Sequence, residues 1–256
     1  MFNMHLNPYV DYSGAAKVFY ILVSMEILTV IFLIPSFTAG SIAGEREKQT
    51  LDILLTTTLT PGEIIMGKLM SSISMVFLLV VSSLPIISIV FTIGGIGMED
   101  MLLFILEILI ISFFIVSMGM LASTVLKKTV QATVCSFAQI VLVCGGTVVV
   151  VIVTYIAAKL YYYNCMGAVG SMPDVSSVLF ILLINPAFTI VQMTARHCES
   201  VSVISKAAGM LNGSMPSTIV DNWFRLSMIS QMIVTVILLR ISAILLKPTR
   251  KKKTVS

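Results

Sequence analysis

The sequence contains little charge. Asp, Glu, Lys and Arg make up 11% of its 256 residues, whereas a soluble domain carries about 25%. Hydrophobic residues make up 57%, and the mean hydropathy is +1.04. This balance excludes an ordinary soluble domain and predicts an integral membrane protein. The net charge of +4 is then explained by membrane orientation, and we expect no nucleic-acid partner.

Histidine is scarce as well. With only His5 and His197, the chain cannot contain the H-E-x-x-H zinc motif, and it lacks the G-x-S-x-G motif of serine hydrolases. The 17 methionines are scattered, which is typical of helix packing rather than of a metal site. We therefore predict a chain with no catalytic residues, no metal site and no enzymatic activity of its own.

The 4 cysteines divide into two pairs. Cys135 and Cys144 lie in an apolar run, as small core residues do. Cys165 and Cys198 lie in the longest polar region. A disulfide between them depends on whether that region faces an oxidising compartment, and the sequence leaves this open.

Five apolar stretches are long enough to cross a bilayer, which takes about 20 helical residues. They cover residues 18–43, 64–93, 101–126, 129–158 and 223–246. We predict an all-α polytopic membrane protein with a single transmembrane domain over residues 1–256.

The region 159–222 is rich in loop-forming residues. It contains an apolar stretch, 175–193, that is interrupted at Asn185-Pro186. If this stretch does not cross the membrane, the segment between the first two spans, Lys127-Lys128 and the basic tail, 247–256, lie on one face. That face then holds ten of the 16 Lys and Arg residues, as the positive-inside bias requires. We therefore predict a protein of the plasma membrane with a cytoplasmic segment between its first two spans and a cytoplasmic tail. Residues 159–222 are predicted to form an outer-face loop with a re-entrant hairpin that packs against protein.

The charge-dense segment between the first two spans, residues 44–56, is called the coupling segment below. As a single helix it would be amphipathic, because its apolar and charged residues fall on opposite sides. The apolar side would carry Leu51, Leu54 and Leu55, and the charged side Glu45, Lys48 and Asp52. We therefore predict one short helix lying on the membrane surface.

A capping box follows the coupling segment. Thr60 and Glu63 have the spacing to satisfy free N–H groups, and Pro61 suits the first helical position. Residues 62–69 also resemble the phosphate-binding motif G-x-x-x-x-G-K-[ST]. Leu69 stands where that motif needs a hydroxyl, and no strand precedes it. We therefore predict a helix start here and no ATP site.

The same region resembles the signature of ABC-2 type transporter permeases. The matching strings are A-G-S-I-A-G-E-R-E-K-Q-T-L-D-I-L-L at 39–55, L-T-P-G-E-I at 59–64 and G-K-L at 67–69. They are similar to the family pattern E-R-E-x-x-T-L-(D/E)-x-L-L, P-x-E-(I/L) and G-K. In that family this segment is the coupling helix that meets a cytoplasmic ATPase subunit.

The resemblance implies a function. The chain would be the permease subunit of an ATP-driven exporter, paired with a second copy or a sister permease, with ATP and magnesium on the ATPase. The implied polar contacts with the ATPase are Glu45, Arg46 and Glu47, and the implied packing residues are Thr50, Leu51, Leu54 and Leu55.

The resemblance also implies half-helices before the last span, so Asn185 and Pro186 are expected in an outer gate. It further implies six spans, and the count of five indicates a truncated or misplaced start at Met1.

Three of the Asp, Glu, Lys and Arg residues lie at least six residues from either end of a predicted span: Glu26, Glu107 and Arg240. Charges in hydrocarbon are costly, so such residues usually face a bundle interior or a wet cavity. They are candidates for a translocation path, although either glutamate could instead reach the outer interface.

Two other functions are compatible with the residues. One is a non-transporting immunity or sensor subunit that keeps the coupling helix, and the other is an ATP-independent channel. The sequence does not identify a transported substrate.

Overall fold

The computed structural model describes residues 13–56, 60–93, 97–166, 173–199 and 202–246. This described part is helical and contains no strand. Five of its helical stretches are long and apolar enough to cross a membrane. They cover Ile21–Glu47, Pro61–Pro85, Met101–Val125, Thr129–Asn164 and Trp223–Leu246. The predicted all-α polytopic fold is confirmed.

Eleven α-helices follow one another in the described residues. They are α1 Ser13–Thr38, α2 Gly40–Glu47, α3 Leu51–Leu55, α4 Pro61–Ile93, α5 Met98–Val125, α6 Thr129–Val141, α7 Thr147–Tyr161, α8 Pro186–Glu199, α9 Val203–Met210, α10 Ser217–Asp221 and α11 Trp223–Leu246. A wide π-helical turn, Leu142–Gly146, joins α6 to α7, and a second one, Tyr162–Met166, extends α7.

Helix α5 is the centre of the bundle. It packs against α1, α4, α6 and α11, and it carries a buried apolar stripe. The stripe consists of Phe104, Ile108, Ile111 and Ile115, at the i, i+4, i+7 and i+11 positions of one helix face. By contrast, only four residues of the fourth span, Thr129–Asn164, are buried, whereas about half of the α5 residues are. The α6–α7 span is therefore peripheral and leaves most of its surface to lipid or to a partner.

The coupling segment lies at one end of this bundle, called the coupling end below. The end of α1 meets the last turns of α5 there, where Thr38 lies against Gly119. Helix α4 starts at the same end, because Lys68 reaches Glu45. Helices α1 and α5 therefore run towards the coupling end and α4 runs away from it.

The coupling segment is two helices rather than the single helix predicted. Helix α2 ends at Glu47, and Gln49 has a left-handed φ of 59°. The Thr50 N–H donates to the Glu45 carbonyl at 2.9 Å, and the Gln49 N–H donates to the Arg46 carbonyl at 3.1 Å. This pattern is a Schellman cap. Glycine or asparagine usually occupies the left-handed position of such a cap, so the glutamine at position 49 did not predict the break between α2 and α3.

Two further predicted boundaries shift. The first span, predicted as one stretch over 18–43, is divided between α1 and α2 at Ala39. The fourth span, predicted to end near 158, continues through the second wide turn to Met166. The last span is observed at Trp223–Leu246, as its apolar run predicts.

The region 159–222 contains short helices packed on the end of the bundle opposite the coupling segment. A 3₁₀ helix, Ser176–Ile184, precedes Asn185, and α8 begins at Pro186. The 3₁₀ helix packs against α7, α8, α9 and α11, and α8 also packs against α1. The disulfide between Cys165 and Cys198, which the sequence leaves open, is not tested, because both side chains lie outside the described part of the chain.

Candidate functional site

Glu45 is tied to helix α4. Its carboxylate forms an ion pair with the Lys68 ammonium, and both side chains are partly buried. Its other carboxylate oxygen, Oε2, is buried with no hydrogen-bond partner among the described residues. Because buried charges are stabilised mainly by pairing, Lys68 fixes Glu45 at the start of α4.

Arg46 and Glu47 hold the connection between α5 and α6. The Arg46 guanidinium donates to the carbonyl of Leu126, directly after α5, at 3.2 Å. The Glu47 carboxylate accepts from the Thr129 N–H at 3.1 Å and from the Thr129 hydroxyl at 2.8 Å. Thr129 is the first residue of α6, so Glu47 caps that helix from another part of the chain.

The three adjacent charges therefore join α2 to the ends of three spans: α4, α5 and α6. Helix α2 is also fixed from its inner side. The Ser123 hydroxyl of α5 accepts from the N–H groups of Ile42 and Ala43, at 2.9 and 2.8 Å. Ser123 thereby satisfies N–H groups that a helix start leaves without an internal partner.

Leu51 and Leu54 of α3 pack against the protein's own core. Leu51 is 6% exposed and belongs to the main core, and Leu54 packs against that core. Leu51 is therefore not available to a partner in this arrangement, and its predicted place in an ATPase groove would require α3 to move. The side chains of Leu55 and Asp52 lie outside the described part.

The free surface of the coupling segment has a different composition from the one predicted. Lys48, Gln49, Thr50 and Thr56 are exposed, and Ile53 is 68% exposed. An exposed isoleucine surrounded by a lysine and polar residues is typical of a protein contact surface, because apolar anchors within a polar rim supply much of the binding energy. Of the predicted interface residues, Thr50 lies on this surface, and Glu47 is exposed as well.

Glu26 and Glu107 lie at a similar depth in the bundle. Since α1 and α5 are parallel and Thr38 faces Gly119, positions 12 residues earlier in each helix lie about 18 Å from that contact. Glu26 accepts a hydrogen bond from the Ser83 hydroxyl at 2.8 Å. Glu107 is 1% exposed, and both of its carboxylate oxygens lack a hydrogen-bond partner in the described part of the chain.

Arg240 is not brought together with these glutamates. It lies near the end of α11, where it lines a groove with Thr60 and Glu63 at the coupling end. The predicted translocation path through all three residues stays a prediction.

Asn185 connects the 3₁₀ helix, α8 and the wide turn between α6 and α7. Its amide donates to the Cys144 carbonyl at 2.9 Å and to the Thr147 hydroxyl at 2.8 Å. Its side-chain oxygen accepts from the Phe188 N–H at 3.1 Å, so Asn185 caps α8 with Pro186 at the first helical position. The Asn-Pro step is thus a buried joint, whereas its predicted role in a gate is not tested.

A buried polar cluster beside this joint gave no sequence signal, because its members are dispersed among apolar residues. Thr189 and Ser227 share a hydrogen bond of 2.6 Å, and Gln231 donates to both. At the start of the 3₁₀ helix, the Ser176 N–H donates to Asp174 at 2.9 Å, and this bond lowers the pKa of Asp174. To predict this cluster from the sequence, Thr189 of α8 would have to be paired with Ser227 and Gln231 of α11, which are about 40 residues away.

Residues 6–247 match the family model described as "ABC-2 family transporter protein". The match covers nearly the whole chain, so the protein belongs to the ABC-2 transporter family and is a multi-pass membrane protein. A comparison with curated proteins gave no match. Membership makes the chain a permease subunit of an ABC transporter, and it implies pairing with an ABC ATPase subunit.

Proposed function

We propose that this permease subunit is coupled to a separate cytoplasmic ATPase through its coupling segment, and that it exports its substrate. The observation that carries the proposal is the attachment of Glu45, Arg46 and Glu47 to the ends of α4, α5 and α6. A segment joined to three spans can transmit a push from a partner to all of them. The partner would contact the exposed surface of Lys48, Gln49, Thr50 and Ile53.

The proposed mechanism uses no ATP chemistry in this chain. ATP and magnesium would be bound by the ATPase, whose closure displaces the coupling segment. The displacement reaches α4 through the Glu45–Lys68 pair and α6 through the Glu47 cap on Thr129. A path would then open between two permease copies or sister subunits, with the region 159–222 as its outer gate. Because Glu107 is buried in this arrangement, the displacement of the spans would have to turn it, together with Glu26, towards the path.

The test begins with affinity purification of the tagged permease from its native cells. Mass spectrometry identifies any co-purified ABC ATPase, and its ATP hydrolysis is measured. Ile53→Asp places a charge at the exposed apolar position, so we expect it to reduce ATPase recovery about 30-fold, the loss typical of a contact worth about 2 kcal/mol. Unchanged recovery with Ile53→Asp would contradict the proposed surface.

The charge swap Glu45→Lys with Lys68→Glu separates binding from transmission. It restores an ion pair inside the permease and leaves Ile53 in place, so we expect ATPase recovery to persist. The single Glu45→Lys change places two positive charges together, and we expect coupled ATP hydrolysis to fall while membrane insertion remains normal.

A cargo screen on the same complex distinguishes the functions. Stimulation of ATP hydrolysis by a compound that also accumulates outside vesicles supports export. Stimulation without transport supports a sensor or immunity subunit, and ion conduction by the permease without any ATPase supports a channel.

A further inference from the structure

A groove at the coupling end lies between the start of α4 and the end of α11. It has a volume of about 520 Å³. Its walls are mainly apolar and include Ile65, Met66, Val236 and Leu239. Polar groups are placed at its rim by Thr60, Gly62, Glu63 and Arg240.

Arg240 is the cation of this groove. It is exposed, and it has no hydrogen bond or ion pair with any residue that the structure describes. It lies six residues before the end of α11 at Leu246, which is about 9 Å along the helix axis. A guanidinium at this depth reaches the headgroup boundary, where phosphate is the anion that membranes supply.

Glu63 does not neutralise Arg240. Its carboxylate oxygen Oε2 accepts from the Thr60 N–H at 2.6 Å and from the Thr60 hydroxyl at 2.9 Å. The carboxylate is therefore directed to the helix cap. Beside it, the Gly62 N–H is one of the donors that a helix start leaves without an internal partner, and a Cβ at Gly62 would meet nothing within 4 Å.

We propose that this groove binds an anionic phospholipid. The phosphate would accept from the Arg240 guanidinium and the Gly62 N–H, which together form a charge-assisted site at a helix N-terminus. One acyl chain would lie along the apolar walls. Because these walls continue from the charged rim into the span, the groove fits a lipid better than a free phosphate ion.

The test measures lipid retention by native mass spectrometry on the purified full-length protein. Phosphatidylglycerol and phosphatidylcholine are added in turn to the detergent solution. We expect wild type to retain phosphatidylglycerol preferentially, and Arg240→Gln to weaken that retention about fivefold or more, the effect of one arginine near an anionic surface. Arg240→Lys keeps the charge but not the planar fork, so we expect an intermediate loss.

The matched control is Lys127→Gln, which removes an exposed cation from the same end of the bundle, between α5 and α6. It should leave phosphatidylglycerol retention unchanged. Equal retention of both lipids by wild type, or equal losses in Arg240→Gln and Lys127→Gln, would overturn the proposal. Competition by millimolar inorganic phosphate would assign the groove to a free anion instead. None of these results depends on the ATPase, so they are independent of the proposed coupling function.

Discussion

A Cβ at Gly119 would lie 2.0 Å from the hydroxyl oxygen of Thr38 and 3.0 Å from its Cβ. Gly119 therefore permits a close approach of α5 to the last turn of α1, just before the chain bends at Ala39 into the coupling segment. Small residues give membrane helices this kind of contact. The position of the coupling segment thus depends on the absence of a side chain at Gly119.

Gly119→Ala should lower the melting temperature of the purified protein. Thr38 is buried, so its side chain cannot move away freely, and overpacking of this kind costs about 1 to 3 kcal/mol. The measurement is thermal unfolding in detergent. The control is Gly67→Ala in α4, where a Cβ would meet nothing within 4 Å. Equal melting temperatures for the two variants would show that the helices are not this close.

Ser123→Ala should also destabilise the protein. The change leaves the buried N–H groups of Ile42 and Ala43 without their acceptor, and an unsatisfied buried group costs about 1 to 3 kcal/mol. Ser117→Ala is the control, because among the described residues the Ser117 hydroxyl bonds within its own helix, to the Phe114 carbonyl. A melting temperature for Ser123→Ala at or above that of Ser117→Ala would contradict the role of Ser123.

The spans were predictable because the signal for a membrane helix is local. A window of about 20 apolar residues is sufficient, and the last span begins and ends where its apolar run does, at Trp223 and Leu246. The break at Gln49 was not predictable, since most residues with a left-handed φ at a helix end are glycine or asparagine.

The candidate site was predictable in its location and not in its contacts. Charge density in an apolar chain marked Glu45, Arg46 and Glu47 as special. Their partners, however, include Leu126 and Thr129, which are about 80 residues away and have no pattern that links them to α2. The burial of Leu51 depends on the same packing, because a leucine stripe fits the protein's own core as well as a partner's groove.

Asn185→Ser should loosen the joint between the hairpin region and the α6–α7 span. Serine caps a helix nearly as well as asparagine, but it is too short to keep the bonds to Cys144 and Thr147. We expect faster hydrogen–deuterium exchange across residues 142–147 with little change elsewhere. Asn222→Ser is the control, because Asn222 is exposed and bonds to the Thr218 carbonyl in its own region. Unchanged exchange in 142–147 would show that the joint is held by other contacts.

Glu107→Met should raise the melting temperature. Glu107 is buried about 14 Å along α5 from Met98, and its carboxylate has no hydrogen-bond partner in the described chain. A buried polar group that lacks a hydrogen-bond partner costs about 1 to 3 kcal/mol. Methionine fills a similar volume and removes that cost.

The control for Glu107→Met is Glu26→Met, which removes a glutamate at a similar depth that does have a hydrogen-bond partner. Glu26 is half-buried at a similar depth but accepts a hydrogen bond from Ser83, so its removal leaves that hydroxyl with one bond fewer and should stabilise less. If Glu107→Met instead destabilises the protein more than Glu26→Met does, Glu107 must have a partner beyond the residues that the structure describes. A second permease copy or a bound cation would then be sought at Glu107, since either could satisfy a carboxylate that the described residues leave alone.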